Sequence, residues 1–117
     1  MAEDTKRGYR KLEYSTLNKM KNGWFIGNFF PSVLNTDQFE VAFMSFKKGQ
    51  PTEDHYHKIA TEYNVLIKGK VKINDYIFEA GEIFIFKPNE WSRSEFLEDT
   101  DIVVVKTPSV KDDKYTS

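Results

Sequence analysis

The residues best suited to chemistry in this chain are two histidines and one glutamate that lie within eight positions of each other. His55 and His57 are the two histidines among 117 residues, and one position separates them. In an extended strand, side chains at i and i+2 project from the same face, so the two imidazoles are expected side by side. Glu62 follows after a short interval that is predicted to turn into the next strand. Two imidazoles and a carboxylate on one concave surface form a ligand set for Fe(II), Mn(II), Ni(II) or Zn(II), with coordination positions left open.

The segments that must position these residues are predicted to be short β-strands joined by tight turns. Phe39–Phe46 is a clear strand, and Lys70–Ile73 alternates cleanly with its lysines outward. Asn74-Asp75 is a two-residue turn signal, so residues 70–79 are predicted to form a hairpin. Residues 82–86 are predicted to form a fully buried strand. The other predicted elements are one helical turn within 15–23 and strands at 24–30, the histidine segment, 61–68, 91–97 and 100–107.

The spacing of these strands predicts the fold class. About eight or more short strands, at intervals of roughly 8–12 residues and with turn residues between them, are typical of an all-β sandwich or barrel. The length of 117 residues predicts one domain with one hydrophobic core. Aromatic residues make up 15% of the chain, which provides the bulk that such an interior needs.

The composition argues against several functional classes. The formal net charge of −1 is not that of a general nucleic-acid binder, which is expected to be basic. The chain has no cysteine, so disulfides, zinc–thiolate sites and thiol nucleophiles are excluded. The charged N-terminus does not resemble a signal peptide, and no stretch reaches the roughly 20 apolar residues of a membrane span. A cytoplasmic protein without nucleic-acid or membrane partners is expected.

The stretch around the histidines resembles the first conserved motif of the cupin family. It reads as Gly49, five residues, His55-x-His57, four residues, Glu62, six residues and Gly69. Every fixed position of the family pattern is filled at an allowed spacing. Six fixed letters in about twenty residues are a far more specific signal than a single His-x-His.

The resemblance extends over about residues 35–107 and implies a fold. The glycine turn and hairpin at 69–81, the strand that follows, the turn at Pro88 and a final strand all lie where a cupin has them. A single cupin domain is therefore expected over residues 1–117, with a core at about 24–107 between polar N- and C-terminal tails. The implied architecture is a double-stranded β-helix, or jelly-roll barrel, with the metal site inside.

The second motif of the family is only partly present. Gly81 and Pro88 match it, but Glu90 replaces its glycine, Arg93 its histidine and Leu97 its asparagine. The usual fourth metal ligand is therefore missing. An arginine does not replace it, because a guanidinium keeps its charge in proteins and has no lone pair to offer.

Three interpretations of the Arg93 position remain open. In the first, His55, His57 and Glu62 alone hold the metal, and Arg93 binds the carboxylate or phosphate of a metal-bound ligand. In the second, Glu95, which has the same strand parity, supplies a fourth ligand. In the third, the site has lost its metal and is a polar pocket for a small anion. Asn64 lies two residues after Glu62, so it is expected to face the interior as a further ligand-binding candidate.

The resemblance implies a divalent metal, Fe, Mn, Ni or Zn, together with a small anionic organic ligand. A metal-dependent oxygenase, isomerase or lyase would fit, since the fold does not choose among these reactions. The alternative is a non-catalytic, metal-free cupin that binds a sugar or small carboxylate in its barrel. A homodimer is expected, because a barrel of this size cannot bury all of its ten Phe and two Trp and therefore has a hydrophobic outer face. Small cupins commonly pair in this way through their N-terminal strands.

Overall fold

Residues 12–116, which the computed structural model of the protein describes, are built almost entirely from β-strands. Within them lies a 3₁₀ helix at Leu17–Lys19, inside the segment where a helical turn was predicted. No helix in this part of the chain is long and apolar enough to cross a membrane. The strands are β1 (Trp24–Gly27), β2 (Leu34–Asn35), β3 (Glu40–Phe46), β4 (His55–Tyr56), β5 (Thr61–Lys68), β6 (Lys70–Ile73), β7 (Tyr76–Glu79), β8 (Ile83–Phe86), β9 (Ser94–Phe96), β10 (Thr100–Thr107) and β11 (Tyr115–Thr116).

The strands form two main sheets with the hydrophobic core between them. The larger sheet has the order β2-β1-β3-β10-β5-β8, and the smaller has the order β7-β6-β9. The pairing of β10 with both β3 and β5 is antiparallel and runs through almost the whole of each strand. Residues from both sheets meet in one buried cluster: Ala42, Leu66, Val71, Ile73, Phe84, Phe86, Phe96, Ile102 and Val104.

The strand β8 corrects one prediction from the sequence. Residues 82–86 were expected to be buried throughout, but only alternate side chains are. Phe84 and Phe86 are buried, whereas Ile83 is 63% exposed and Ile85 is 46% exposed. The strand lies at the edge of the larger sheet, where one face packs against the core and the other leaves Ile83 and Ile85 exposed.

The predicted hairpin at 70–79 is confirmed, and its turn helps to orient the neighbouring strand β9. Asn74 and Asp75 have φ values of 47° and 78°, as a two-residue type I′ turn requires. The Asn74 side chain donates to the carbonyl of Trp91 at 2.5 Å and accepts from the amide of Arg93 at 2.8 Å. These bonds attach the turn to the segment that leads into β9.

The segment after Pro108, described from the sequence only as a polar tail, folds back over the histidines. Its strand β11 pairs with β4, with Tyr115 opposite Tyr56 and Thr116 opposite His55. Ser109 in the same segment is buried. The C-terminal segment is therefore part of the structure that surrounds the candidate site.

Candidate metal centre

The three residues predicted to hold a metal lie together in the wall of one cavity. His55 is on β4, His57 follows that strand directly, and Glu62 is on β5. One ligand atom from each of the three lies within 4.8 Å of the others. The two imidazole rings are 5.3 Å apart and meet edge to face at 73°. The group is therefore placed to hold a metal ion, as the spacing predicted.

Hydrogen bonds to main-chain carbonyls orient both imidazoles. Nδ1 of His57 donates to the carbonyl of Asp113 at 2.5 Å, and Nδ1 of His55 donates to the carbonyl of Glu53 at 3.0 Å. A carbonyl oxygen only accepts, so each ring carries its proton on Nδ1 when neutral. Each Nε2 atom then has a free lone pair, which is the arrangement of a metal-binding histidine.

The Nε2 atom of His57 is the clearest indication of a cation site. It is buried and has no hydrogen-bond partner among the residues that the structure describes. It lies 3.4 Å from Oε1 of Glu62, and the two groups form an ion pair only when the ring is also protonated on Nε2. Buried polar atoms are almost always satisfied, and a lone pair beside a carboxylate is repulsive unless a cation is present. These donors fit a divalent metal.

The electrostatic environment keeps His55 and Glu62 in their metal-binding forms. Burial lowers the pKa of His55, more than the Glu53 carbonyl and the Glu62 carboxylate raise it. Burial also acts to raise the pKa of Glu62, but contacts with His57 and Asn64 outweigh this effect and hold that pKa below its usual value. At neutral pH, His55 is therefore neutral and Glu62 is charged, which are the forms that ligate a metal.

These ligands open into a cavity of about 660 Å³ inside the barrel. Asn64 lies in its wall, as predicted, and is buried. Its side-chain amide donates to the carbonyl of Phe84 at 3.4 Å. The remaining wall is partly aromatic and partly polar, and includes Trp24, Phe29, Phe86, Ser92 and Ser94.

The structure does not place Arg93 or Glu95 in this cavity. Both line a separate depression on the outer surface. The Arg93 side chain is 69% exposed, and its Nε lies 3.4 Å from a carboxylate oxygen of Asp54. The expectation that either residue projects toward the metal ligands is corrected: alternate residues face inward along this segment, and here these are Ser92 and Ser94.

Asp113 is part of the site environment, although no sequence signal pointed to it. Its carboxylate accepts hydrogen bonds from the amides of Lys58 at 3.0 Å, Ile59 at 3.2 Å and Ala60 at 2.9 Å. Its main-chain carbonyl anchors His57. One residue of the C-terminal segment therefore fixes both the loop after the histidines and the ring of the second histidine.

The cavity also contains an ion pair that the sequence analysis did not single out. Nζ of Lys106 lies 2.8 Å from Oε1 of Glu40, and the two side chains are only 15% and 10% exposed. Both residues line the cavity. The available signal was strand parity, because Lys106 is in phase with Ile102 and Val104, which lie in the core.

The known proteins that resemble this chain are solved structures. No protein-family model matches this chain, and no curated protein matches it. An uncharacterized conserved protein with a double-stranded β-helix domain from Klebsiella pneumoniae is similar, with a TM-score of 0.64 and 23% identity over 73% of this chain and 75% of that chain. A cupin-2 domain containing protein from Shewanella frigidimarina matches with a TM-score of 0.53 and 13% identity, over 64% and 76% of the chains. Oxalate decarboxylase from Lactobacillus farciminis matches with a TM-score of 0.59 and 15% identity, over 68% of this chain and 27% of that enzyme.

These similarities establish the class of protein. The chain is an all-β protein with the double-stranded β-helix, or jelly-roll, fold. More particularly, it has the fold of a small cupin domain, as the first motif predicted.

Proposed function

We propose that this protein binds one divalent transition metal ion, Fe, Mn, Ni or Zn, through His55, His57 and Glu62. A small anionic organic ligand would occupy the cavity beside it. The observation that carries the proposal is the buried Nε2 atom of His57, whose ring is held by its Nδ1 proton while Nε2 has no partner among the described residues. An atom so oriented and unsatisfied is what a metal ligand requires.

The arrangement favours a reaction at the metal on a small acid. A metal bound there supplies Lewis acidity to a coordinated oxygen. The chain itself holds the two imidazoles by main-chain carbonyls and lines the cavity beside them with the apolar rings of Phe84 and Phe86. Lys114 places a positive charge in the wall, which favours an anionic ligand. A structurally similar enzyme acts on oxalate, a small dicarboxylate, which supports a carboxylate ligand here.

Titration with Zn(II) at different pH values tests the proposal. The metal and a proton compete for the same Nε2 atoms, so affinity is expected to be constant above neutral pH and to fall with acidification. Because burial lowers the pKa of His55, the midpoint for protonation of that ring lies below the ordinary value of 6.5. Calorimetric titrations between about pH 5 and pH 8 bracket this value. No binding at pH 8 contradicts the proposal, and affinity unchanged at pH 5 contradicts imidazole ligation.

We also propose a homodimer in which the outer face of the larger sheet covers the same face of a second copy. By strand register, two cross-strand rows of this face carry no charged side chain. An apolar groove where Leu17 and Met20 meet Phe25 and Val33 continues the face. The six strands, at about 4.8 Å spacing and about 18 Å average length, give a face of roughly 500 Å² before the relief of the side chains is counted. That area is comparable with the roughly 800 Å² per subunit of a stable dimer. The rows are Phe43, Val103, Val65 and Ile83, and Val41, Val105, Tyr63 and Ile85.

Ile85→Lys is expected to convert the dimer to a monomer. The substitution places a charge at the end of one of the two apolar rows of the interface, which costs several kcal/mol when the charge is buried unpaired. Light scattering at micromolar concentration gives the mass of each form. Ile77→Lys is the matched control, since Ile77 is 57% exposed on the smaller sheet and lies outside the proposed interface. A monomeric wild type, or a dimer that survives Ile85→Lys, contradicts the proposed interface.

A further inference from the structure

Three charged residues lie in one row across the inner face of the larger sheet. On β10, Lys106 is the register partner of Glu40 on β3 and of Glu62 on β5. Residues directly opposite in neighbouring antiparallel strands have Cβ atoms about 5 Å apart. Lys106, one member of the ion pair with Glu40, therefore lies on the strand next to the one that carries Glu62, the carboxylate proposed to bind the metal.

The pair is held in place by its own set of contacts. Oε2 of Glu40 accepts a hydrogen bond from the Ser109 hydroxyl at 2.6 Å, and that hydroxyl accepts one from the amide of Asn28 at 2.9 Å. Nζ of Lys106 lies 5.0 Å from the centre of the Trp24 ring. A buried ion pair is a poor source of stability compared with apolar packing, so its position in the wall of a cavity calls for another role.

The pair retains hydrogen-bonding capacity toward the cavity. An ammonium has three N–H donors, and Glu40 uses one of those on Lys106. A carboxylate has about four lone-pair sites, of which Lys106 and Ser109 use two. A donor and an acceptor therefore lie side by side in the wall of the same cavity as His55, His57 and Glu62.

We propose that Lys106 and Glu40 bind the hydroxyl groups of a small polyhydroxy acid whose carboxylate end lies at the metal ligands. This inference rests on the metal-binding function proposed above and specifies its substrate class. A hydroxyl both donates and accepts, so it pairs with the carboxylate and the ammonium together. A second anionic group at this point would be repelled by Glu40, and an alkyl chain would leave both charges without ligand partners.

Two six-carbon acids, gluconate and 2-hydroxyhexanoate, provide the test on the Zn(II)-loaded protein. They share the carboxylate and the 2-hydroxyl group that chelate a metal and differ only in the distal hydroxyls. Gluconate is expected to bind about tenfold or more tightly in calorimetric titrations, as expected for hydrogen bonds to charged groups. Equal affinities for the two acids overturn the inference. This comparison uses the wild type and needs no variant to fold.

The double variant Glu40→Gln/Lys106→Met assigns the effect to the pair. Removing both charges leaves neither buried alone, which is the main hazard of a single substitution. The preference for gluconate is expected to fall to about twofold or less, while Zn(II) affinity changes by less than about threefold. A folded double variant that keeps the preference overturns the inference.

The matched control is the double variant Lys70→Met/Glu79→Gln. It removes a cross-strand ion pair of the same residue types, 3.4 Å apart, on the smaller sheet and outside the cavity. Its preference for gluconate is expected to equal that of the wild type, and loss of the preference there would overturn the assignment. If the protein does not bind Zn(II), the proposed metal function itself is wrong. If it binds Zn(II) but does not prefer gluconate, only the present inference is wrong.

Discussion

Replacing His57 with alanine is expected to reduce the affinity for Zn(II) by more than 100-fold. Changes to groups that merely hold a metal ligand cost about 10–100-fold, and this substitution removes the ligand itself. The remaining pair, His55 and Glu62, leaves most of the coordination to water. Calorimetric titration of the wild type and the variant at pH 7.5 measures the difference, and circular dichroism confirms that the variant is folded.

Arg93→Ala is the control for this experiment. The Arg93 side chain is largely exposed and lines the outer depression, so its loss is expected to leave Zn(II) affinity within about twofold. A large loss of Zn(II) affinity in this variant would instead indicate that Arg93 belongs to the site. Zn(II) affinity retained by His57→Ala would contradict the assigned ligands.

Asp113→Ala is expected to lower both stability and metal affinity. Its carboxylate satisfies three consecutive amides, and a hydrogen bond to a charged group contributes about 1.5–3 kcal/mol, so a loss of about 3 kcal/mol or more is expected. Local disorder would also free the carbonyl that anchors His57, which is expected to weaken Zn(II) binding about 10–100-fold. Urea unfolding and calorimetry measure the two effects.

The stability effect has a defined pH dependence. Burial acts to raise the pKa of Asp113, but its three amide donors outweigh that effect and hold the pKa below its ordinary value. The stabilisation is thus fully present above the unfolded value of about 3.9 and is lost as the pH falls through the lowered pKa. The difference between wild type and variant should accordingly shrink only in strong acid.

Asp99→Ala is the matched control, because Asp99 accepts one amide, from Lys48 at 2.8 Å, at an exposed position. Its loss is expected to destabilise the protein much less than the loss of Asp113 and to leave Zn(II) affinity unchanged. Equal losses in the two variants would contradict the role assigned to Asp113.

The sequence predicted best those elements in which local pattern and tertiary structure agree. The strands at 61–68 and 100–107 have the predicted limits, because their alternating side chains lie against a real core. The hairpin turn at Asn74-Asp75 was predictable from local backbone preference alone. Likewise, the first motif located His55, His57 and Glu62, because all three lie on one short supersecondary unit.

The orientation of Arg93 was not predictable, because strand parity does not carry through an irregular segment. The chain from Pro88 to Ser92 is largely turn, and Ser92 instead makes an isolated antiparallel bridge with His55. The amide of Ser92 donates to the carbonyl of His55 at 2.7 Å. This bridge sets which side chains of β9 face inward, and nothing in the local sequence reveals it.

The ion pair and Asp113 were missed for another physical reason. Glu40 and Lys106 look like surface charges until the register of β3 and β10 brings them together. Asp113 is one of two adjacent acidic residues in a polar segment, and its role depends on a loop far away in the sequence. Contacts of this kind arise from the fold as a whole and have no local signature.

The most direct test of the metal centre is a long-range ¹H–¹⁵N spectrum of the imidazoles. The chain has only two histidines, so the spectrum contains two rings. On addition of one equivalent of Zn(II), which is diamagnetic, both Nε2 resonances are expected to shift while both Nδ1 atoms remain protonated. This result would follow from the carbonyl bonds that hold each Nδ1–H. Spectra in which Zn(II) leaves both Nε2 resonances unchanged would contradict the metal centre.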